Sequence, residues 1–238
     1  MPAAPATAPR LRNFHHQVLD ALGSRIVMGG YAEGEQLPTE PQLAESLGAS
    51  RLIIREAMKS LAAKGLVSIR PRTGTHVLPR TQWNLFDPAV LAWHGEQPFA
   101  PQLIADLMEL RQTIEPLAAR LAAQRATPQE LLAIGEACAA MASAGTRSAY
   151  IEADLRFHGA VMRACGNQFI VQLANALSAV WKTSFQASSD DWGPDAQAMA
   201  LHQRLHDAIA ARDPQAAEAA VLALIERATA RIEGSARA

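Results

Sequence analysis

Acidic and imidazole side chains occupy helical positions at which the spacing of the neighbours favours apolar residues. Asp154 and His158 lie one helical turn apart, in a stripe that also carries Ile151. His202 and His206 repeat the one-turn spacing later in the chain. An Asp–His pair of this kind either shares one metal ion or forms a simple hydrogen bond. If a metal is held, the imidazole ligands favour one divalent ion of the Zn²⁺ or Ni²⁺ type.

A basic residue interrupts a second apolar stripe. Arg111 lies four residues after Leu107 and three before Ile114, so helical periodicity predicts that its side chain points inward. The inward stripe is predicted to consist of Leu107, Ile114, Leu117, Ala118 and Leu121. A buried guanidinium is costly unless it is paired. Two partners are open: Glu115, one turn on, or the carboxylate of a bound anion, which the guanidinium fork can hold with two hydrogen bonds.

These polar positions fall within a long run of helical patterns that begins at Pro101. Helices are predicted near 101–124, 128–144, 147–165, 168–188 and 196–212, and after Pro214. Two of them start where a capping residue precedes a proline, at Thr127-Pro128 and Asp213-Pro214. No strand-like alternation accompanies them, so the predicted architecture over 101–235 is an all-α bundle of six or seven helices. Such a bundle would bring the inward polar side chains together.

The N-terminal part of the chain contains a different arrangement, a basic stretch over residues 37–77. Two short helical patterns meet at a turn that begins at Gly48, and Ser50 is placed to cap the second helix. Arg51, Arg55 and Lys59 form one row on that helix, on a different face from its apolar residues. A helix that presents cations from its first turns is suited to reading the major groove of DNA.

Two strand-like segments follow this helix and are separated by a Pro/Gly turn. The pattern predicts a two-stranded wing with Arg70 and Arg72 near its tip and with Gly74 in a left-handed conformation. From Arg51 to Arg72 the chain has six basic residues and one acidic residue, Glu56. A basic cluster on a helix-turn-helix with a wing predicts binding to double-stranded operator DNA.

The segment LPTEPQLAESLGASRLIIREAMKSLAAKGLV closely resembles the winged helix-turn-helix of the GntR family of bacterial regulators. The resemblance implies a transcription regulator, with DNA contacts at the start of the recognition helix and in the wing. Together with the basic row, it assigns DNA contacts to Thr39, Glu40, Ser50, Arg51, Ile53, Arg55, Arg70, Arg72, Thr73 and Gly74. Pro41 stands where family members often have an arginine, so the operator sequence can differ from theirs.

The segments LMELRQTIEPLAARLAA and ADLRFHGAV resemble the helical effector domain, called FCD, of the FadR subfamily of these regulators. Many FCD domains bind a divalent metal through one aspartate and three histidines. The resemblance places Asp154, His158 and His202 at the first three ligand positions, whereas Leu224 occupies the fourth. His206 could substitute, although it lies one turn from His202. The predicted ligand-binding residues are therefore Arg111, Asp154, His158, His202 and His206.

The chemistry of these side chains indicates the class of effector. A small hydroxy-carboxylate could place its carboxylate on Arg111 or on a metal and its hydroxyls on the imidazoles. The segments PRTQWNLFDPAVLAWHGE and RQTIEP resemble sugar-acid-responsive members of the family, which implies an aldonate such as galactonate. Lactate, gluconate and other organic acids are the alternative effectors. A metal-dependent enzyme is the alternative class, but the sequence supplies no general base paired with a nucleophile.

Charge is distributed unevenly along the 238 residues, although the net charge is −1. Residues 1–80 contain 10 basic and 6 acidic side chains, whereas residues 81–238 contain 12 and 17. A basic head on an acidic body predicts DNA binding by the head alone. The predicted fold class is mainly α. Its predicted parts are a disordered tail (1–12), the winged helix-turn-helix (13–79), a linker or junction segment (80–100) and the FCD bundle (101–235). The junction segment has too many large apolar residues for a solvated linker, so it is expected to pack.

The remaining features agree with a cytoplasmic regulator. Cys138 and Cys165 lack metal-ligand spacing and are expected to be buried free thiols in a reducing compartment. No apolar run approaches the length of a membrane span, and the N-terminus lacks a signal-peptide core. Because one DNA-binding head rarely provides operator-level specificity, the helical body is predicted to form a homodimer on a pseudo-palindromic site.

Overall fold

The computed structural model describes residues 8–94, 101–188 and 196–235. The chain forms two compact units, Met1–Gln97 and Pro98–Ala238. Both units are mainly α-helical, and the first also carries a two-stranded antiparallel sheet, as the sequence predicted. None of the helices in the described ranges combines the length and the apolar character that crossing a membrane requires.

The first unit begins with a long helix that precedes the helix-turn-helix. Helix α1 spans Ala8–Val27 and packs against the third helix of the unit. Four apolar side chains on one face of this helix are buried: Val18, Leu22, Ile26 and Val27. Residues 8–12, which the sequence assigned to a disordered tail, are helical, because Pro9 is tolerated in the first turn, where no intrahelical partner is lost. The rest of the predicted tail lies outside the described residues.

Two short capped helices follow, α2 (Glu40–Ser46) and α3 (Arg51–Ala63). At the start of α2, the side chain of Gln42 accepts hydrogen bonds from the backbone N–H of Thr39 at 2.9 Å and from its hydroxyl at 2.8 Å. At the start of α3, the hydroxyl of Ser50 accepts a hydrogen bond from the backbone N–H of Ile53 at 3.4 Å, which confirms the predicted cap. These caps fix the residue at which the recognition helix begins.

Two strands form the predicted wing, β1 (Val67–Arg70) and β2 (Gly74–Val77). Their antiparallel register places Arg70 opposite Gly74, with a three-residue connection between them. Within that connection Arg72 has a φ of 68°, and Gly74 follows with a φ of 87°. The left-handed conformation predicted for Gly74 is confirmed, and a Cβ at this position would collide with the side chain of Gln36. The wing turn therefore requires glycine at position 74.

Residues 80–94, predicted to be part of a linker or junction segment that packs rather than lies in solvent, belong to the core of the first unit. They form a 3-10 turn (Arg80–Gln82) and helix α4 (Pro88–Ala92). Trp83, Val90 and Trp93 are buried in the same core as α1 and α3. Its large apolar side chains complete the core of the first unit, so the segment is not a solvated linker, as its composition had indicated. The remainder of the predicted linker, residues 95–100, lies outside the described residues.

Polar contacts fasten this segment to the head. The indole N–H of Trp93 donates to the carboxylate of Asp20 at 2.9 Å. Lys64 forms an ion pair with Asp87 at 2.6 Å, and the same carboxylate caps α4. The head therefore extends beyond its wing to residue 94.

Six helices build the second unit over 101–188 and 196–235: α5 (Pro101–Arg125), α6 (Pro128–Ala142), α7 (Arg147–Ala164), α8 (Gln168–Ser188), α9 (Ala196–Ala210) and α10 (Pro214–Ser235). Helix α10 packs against α5 and α9, and α7 packs against α5, α6 and α8. The all-α bundle is confirmed, and its helices begin and end close to the predicted residues. Cys138 and Cys165 are buried free thiols, as expected.

The buried face of α5 differs from the predicted stripe. Leu117, predicted to point inward, is 47% exposed. The buried face instead runs through Leu107, Met108, Arg111, Glu115, Ala118, Ala119 and Ala122. The small alanine side chains allow neighbouring helices to approach α5 closely, which favours their burial over that of the larger Leu117. Because this face includes Glu115 as well as Arg111, both charges lie in the interior of the bundle.

Candidate functional site

Five titratable side chains meet inside the helical unit. Helix α5 contributes Arg111 and Glu115, α7 contributes Asp154 and His158, and α9 contributes His202. All five are buried, with exposed fractions between 2% and 7%. We call this set the buried ionic cluster. It contains four of the five predicted ligand-binding residues, together with Glu115, which the sequence had suggested only as a structural partner of Arg111.

Ion pairs connect the cluster in a continuous series. Arg111 Nε donates to Oε1 of Glu115 at 2.6 Å, and Oε2 of the same carboxylate lies 3.0 Å from His158 Nδ1. Asp154 Oδ1 lies 3.3 Å from His158 Nε2 and 3.1 Å from His202 Nε2. Basic and acidic side chains alternate along this series, so each buried group faces a partner that compensates its loss of water.

An aromatic side chain packs against both imidazoles of the cluster. The ring of Phe157, which is fully buried, lies edge-on to His158 and His202, with ring centroids 5.7 Å and 5.0 Å away. The two imidazole rings are 5.6 Å apart and nearly perpendicular. These edge contacts restrict rotation of the rings and keep the Nε2 atoms directed at Asp154.

The cluster shifts the pKa values of its members in opposite directions. Burial alone would raise the pKa of Glu115, but the charges of Arg111 and His158 lower it to about 2. Burial alone would lower the pKa of His158, but Glu115 and Asp154 raise it to about 9. Against the effect of burial, hydrogen bonds from His158 and His202 hold the pKa of Asp154 well below its usual range. Without a metal ion, His158 is therefore protonated at neutral pH while both carboxylates are ionised.

The same geometry fits a divalent metal ion. The ligand atoms of Asp154, His158 and His202 all lie within 4.8 Å of one another. Each imidazole has an oxygen atom close to Nδ1: Glu115 Oε2, at 3.0 Å in an ion pair, for His158, and the carbonyl oxygen of Ala198, at 2.8 Å, for His202. An Nδ1–H that donates to such an acceptor leaves the Nε2 lone pair for a metal, which is the usual arrangement of metal-ligating histidines. One carboxylate and two imidazoles suit a zinc- or nickel-type ion and leave coordination positions open.

Two residues considered as further ligands do not join the cluster. His206 was predicted to bind ligand, but its Nδ1 lies 3.1 Å from Asp207 Oδ1 and its Nε2 approaches Gly135 of α6. The step of four residues from His202 rotates the side chain by about 40° around α9, which turns it toward α6. His206 therefore lies outside the cluster, contrary to the prediction. Leu224 is buried, and its side chain offers no ligand atom.

The first unit presents exposed cations at the start of its recognition helix. Arg51 is the first residue of α3, and Arg55 follows one turn later; both are exposed. Glu40 of α2 holds Arg55, with its carboxylate 3.0 Å from Nη2 and 3.3 Å from Nε. The hydrogen bond and charge of Glu40 raise the pKa of Arg55, so the guanidinium stays charged. Glu40 thus orients Arg55 across the turn between the two helices, and Thr39 caps the helix that carries Glu40.

Two neighbouring apolar residues of α3 differ in their exposure. Ile53, a predicted DNA contact, is half-buried and packs against the core of the head. Leu52 is 68% exposed and lies between Arg51 and Arg55 in sequence. The family resemblance did not single out Leu52. Its position lies off the apolar stripe that begins at Ile54, and this pattern alone would have predicted that its side chain is exposed.

The wing tip adds a second exposed basic surface. Arg70, Arg72 and Thr73 are exposed, and Gly74 is half-buried against Gln36. Two cations therefore flank the turn of the wing, as the sequence predicted.

A winged helix-turn-helix with exposed cations, in one chain with an all-α unit that buries an ionic cluster, defines a DNA-binding transcription regulator. Residues 14–77 match the family model described as bacterial regulatory proteins, gntR family, and residues 106–227 match the FCD domain. The chain belongs to the GntR family of transcription regulators, and its helical unit is an FCD domain.

Similar proteins match both units of the chain. The galactonate operon transcriptional repressor of Escherichia coli strain K12 is 39% identical over 219 residues, covering 91% of this chain and 96% of the relative. YieP, an uncharacterized HTH-type transcriptional regulator of the same strain, is 33% identical over 228 residues, covering 94% and 98%. A solved structure of Streptococcus agalactiae GntR is 25% identical with a TM-score of 0.50, covering 92% of this chain and 99% of that one.

Proposed function

We propose that this regulator is a repressor whose binding to operator DNA is controlled by a small sugar acid held at the buried ionic cluster. The observation that carries the proposal is the cluster itself, where one guanidinium, two carboxylates and two imidazoles are buried together in the interior of the bundle. An FCD domain is an effector domain, and the 39% identity to the galactonate operon transcriptional repressor supports an aldonate such as galactonate.

The side chains of the cluster match the functional groups of an aldonate. The guanidinium of Arg111 carries donors in a fork that suits a carboxylate. In the metal-free cluster, the Nε2 atoms of His158 and His202 offer polar atoms for the hydroxyl groups of the effector. Because these three residues belong to α5, α7 and α9, one bound molecule would link three helices. Such a link favours one arrangement of the bundle and couples it to DNA affinity, with a typical coupling of about 1–3 kcal/mol.

One divalent ion of the zinc or nickel type would be held by Asp154, His158 and His202. The ion would add positive charge to the cluster and bind an oxygen of the effector directly. Asp154 supplies the anionic ligand, and the acceptors at the two Nδ1 atoms keep both Nε2 atoms turned toward it. The open coordination positions are those that a hydroxy-carboxylate would take.

The head would read the operator with the start of α3 and with the wing. Arg51 and Arg55, both exposed, would contact base edges and phosphates in the major groove, and Arg70 and Arg72 would contact the adjacent backbone or minor groove. Leu52, exposed between the two α3 arginines, is suited to an apolar contact with a thymine methyl group. A homodimer would place two heads on a pseudo-palindromic operator, and the protein would act in the cytoplasm, where that DNA lies.

The test of this proposal is titration calorimetry with galactonate, gluconate and lactate, with and without prior treatment with a chelator. Arg111→Lys keeps the buried charge but loses the planar fork, and Arg120→Lys makes the same change at an exposed arginine of α5. We expect wild type and Arg120→Lys to bind an aldonate, and Arg111→Lys to bind it at least about tenfold more weakly, a difference of about 1.4 kcal/mol.

Operator binding supplies the second measurement. Arg111→Lys should bind operator DNA as wild type does but should remain bound in the presence of effector, which is the behaviour of a super-repressor. If the protein binds lactate but neither sugar acid, the effector is a different carboxylate and the sugar-acid assignment is wrong. Failure of wild type to bind any of the three acids, or equal affinity in Arg111→Lys, would reject the assignment.

A further inference from the structure

We infer that Glu115 is a positioning residue for the metal centre: without touching a metal, it determines how well His158 can bind one. The inference rests on the proposed function, because it presupposes that Asp154, His158 and His202 hold a divalent ion. Sequence reasoning considered Glu115 only as a partner of Arg111, and the structure gives it a second contact at 3.0 Å.

The carboxylate of Glu115 divides its two oxygen atoms between two partners. Oε1 accepts from Arg111 at 2.6 Å, and Oε2 faces His158 Nδ1 at 3.0 Å. The side chain of Glu115 is 3% exposed, so water does not compete for either oxygen. Arg111 therefore fixes the orientation of the carboxylate that His158 meets, and the carboxylate has little freedom to move away from the imidazole.

The contact at Nδ1 selects the nitrogen that His158 offers to a metal. The negative charge of a carboxylate 3.0 Å from Nδ1 favours the neutral tautomer with its proton on that nitrogen, which carries the lone pair on Nε2. Nε2 is the atom that faces Asp154 at 3.3 Å, within the set of ligand atoms that meet. A charged acceptor at the far nitrogen also increases the electron density that the imidazole donates to a metal.

His202 provides an internal comparison for this role. Its Nδ1 is held by the carbonyl oxygen of Ala198, a neutral backbone acceptor in its own helix. His158 instead depends on a charged side chain from another helix, α5. Substitution can therefore remove the acceptor of His158 while leaving that of His202 in place, which makes the contribution of Glu115 separable.

The experiment is a titration of the chelator-treated full chain with Zn²⁺ by calorimetry, and with Co²⁺ followed by visible absorption. Glu115→Gln removes the charge, and Glu115→Asp keeps it on a side chain one methylene shorter, which cannot span both partners. Glu109→Gln makes the same change as Glu115→Gln at an exposed position of α5. Thermal unfolding of each metal-free variant shows whether it is folded before titration.

We expect wild type and Glu109→Gln to bind Zn²⁺ equally, and Glu115→Gln and Glu115→Asp to bind it about 10- to 100-fold more weakly. The Co²⁺ absorption bands of the Glu115 variants should also shift, because the ligand field that the His158 imidazole exerts on Co²⁺ changes. If Glu115→Gln does not fold, Glu115→Asp carries the test.

The outcomes separate this inference from the function on which it rests. Wild-type affinity for Zn²⁺ in Glu115→Gln would overturn the role of Glu115 while leaving the metal centre intact. Full recovery of affinity in Glu115→Asp would show that charge alone suffices and would overturn the positioning role. Absence of Zn²⁺ binding by wild type would instead reject the proposed metal centre, and this inference with it.

Discussion

Two arginine–glutamate pairs of this protein have similar chemistry and opposite surroundings. In the head, Arg55 and Glu40 approach to 3.0 Å, with side chains 58% and 36% exposed. In the bundle, Arg111 and Glu115 approach to 2.6 Å, with side chains 2% and 3% exposed. Water and salt screen the first pair, so its arginine can exchange the glutamate for a DNA phosphate at little cost. The second pair is desolvated, so Arg111 can leave Glu115 only for another anion.

The difference explains why a charged ligand can act as a switch in the bundle. A buried cluster is stable only when each charge has a partner. A carboxylate that enters the cluster must therefore change the contacts among Arg111, Glu115 and His158. Surface pairs impose no such condition. The head is therefore suited to reversible contact with DNA, and the bundle to two discrete arrangements.

Truncation of the two arginines should reveal the difference most directly. Arg111→Ala leaves Glu115 buried with one partner fewer, and we expect it to lower the free energy of unfolding of the bundle by about 3–5 kcal/mol. Arg55→Ala removes an exposed pair and should leave the thermal unfolding of the head unchanged. Differential scanning calorimetry of the two variants measures both effects. Equal and small losses in stability would contradict the assignment of Arg111 to a desolvated pair.

The pH dependence of stability should also distinguish the buried ionic cluster from the more exposed ion pairs of the protein. The pKa of His158 is raised from 6.5 to about 9 in the folded chain, so its stabilising contribution is complete below pH 6.5 and is lost as the pH rises through about 9. Chelator-treated wild type should therefore lose bundle stability between pH 6.5 and pH 9. His158→Gln should show a flatter profile over this range, and His206→Gln, outside the cluster, should follow wild type. Parallel profiles for all three proteins would exclude this role for His158.

The helices were predictable because their ends carry local chemical signals. Thr127 with Pro128 and Asp213 with Pro214 mark starts that depend only on neighbouring residues, and Ser50 caps α3 as its position implied. The strand-like segments of the wing and the left-handed conformation of Gly74 in its turn are equally local signals. Helix starts marked in this way are retained in the folded protein, since tertiary packing rarely overrides a cap and a proline together.

The parts that escaped prediction depend on contacts between distant segments. Periodicity placed Leu117 inward, but the alanines of α5 are the residues that pack, which rotates the buried face. His206 has the helical spacing of a ligand, but the rotation from His202 turns it toward Gly135. The second contact of Glu115 joins α5 to α7, and nothing in the spacing within α5 indicates it. Sequence identified the members of the cluster better than it identified how they are connected.

Substitutions in the recognition helix should affect DNA affinity without affecting the effector response. Arg51→Ala or Arg55→Ala removes a contact of the type that discriminates bases, and we expect operator affinity to fall by about 5- to 150-fold. Lys59→Ala, two turns into α3 and paired with Glu56 at 2.8 Å, should have a smaller effect. Fluorescence anisotropy with an operator selected in vitro by the full chain provides the measurement. Unchanged operator affinity in both arginine variants would rule out this reading face.

The prediction with the smallest expected effect concerns Leu52. Its exposure suggests that the head also recognises DNA by an apolar contact. Thymine differs from uracil by one methyl group, so replacing each operator thymine in turn by deoxyuridine removes one methyl at a time. At the base that Leu52 contacts, the replacement should weaken wild-type binding by about fourfold, corresponding to about 0.8 kcal/mol for one methyl-sized group.

The Leu52→Ala variant should bind the selected operator more weakly than wild type and should be indifferent to deoxyuridine at that one position, because the methyl has lost its partner. Leu132→Ala, which truncates an exposed leucine of α6, should respond to every replacement as wild type does. Anisotropy titrations of the three proteins against the replacement series form a double-mutant cycle between one side chain and one methyl group. If each replacement costs Leu52→Ala as much as it costs wild type, Leu52 does not contact a thymine methyl, and the head reads its operator through polar groups alone.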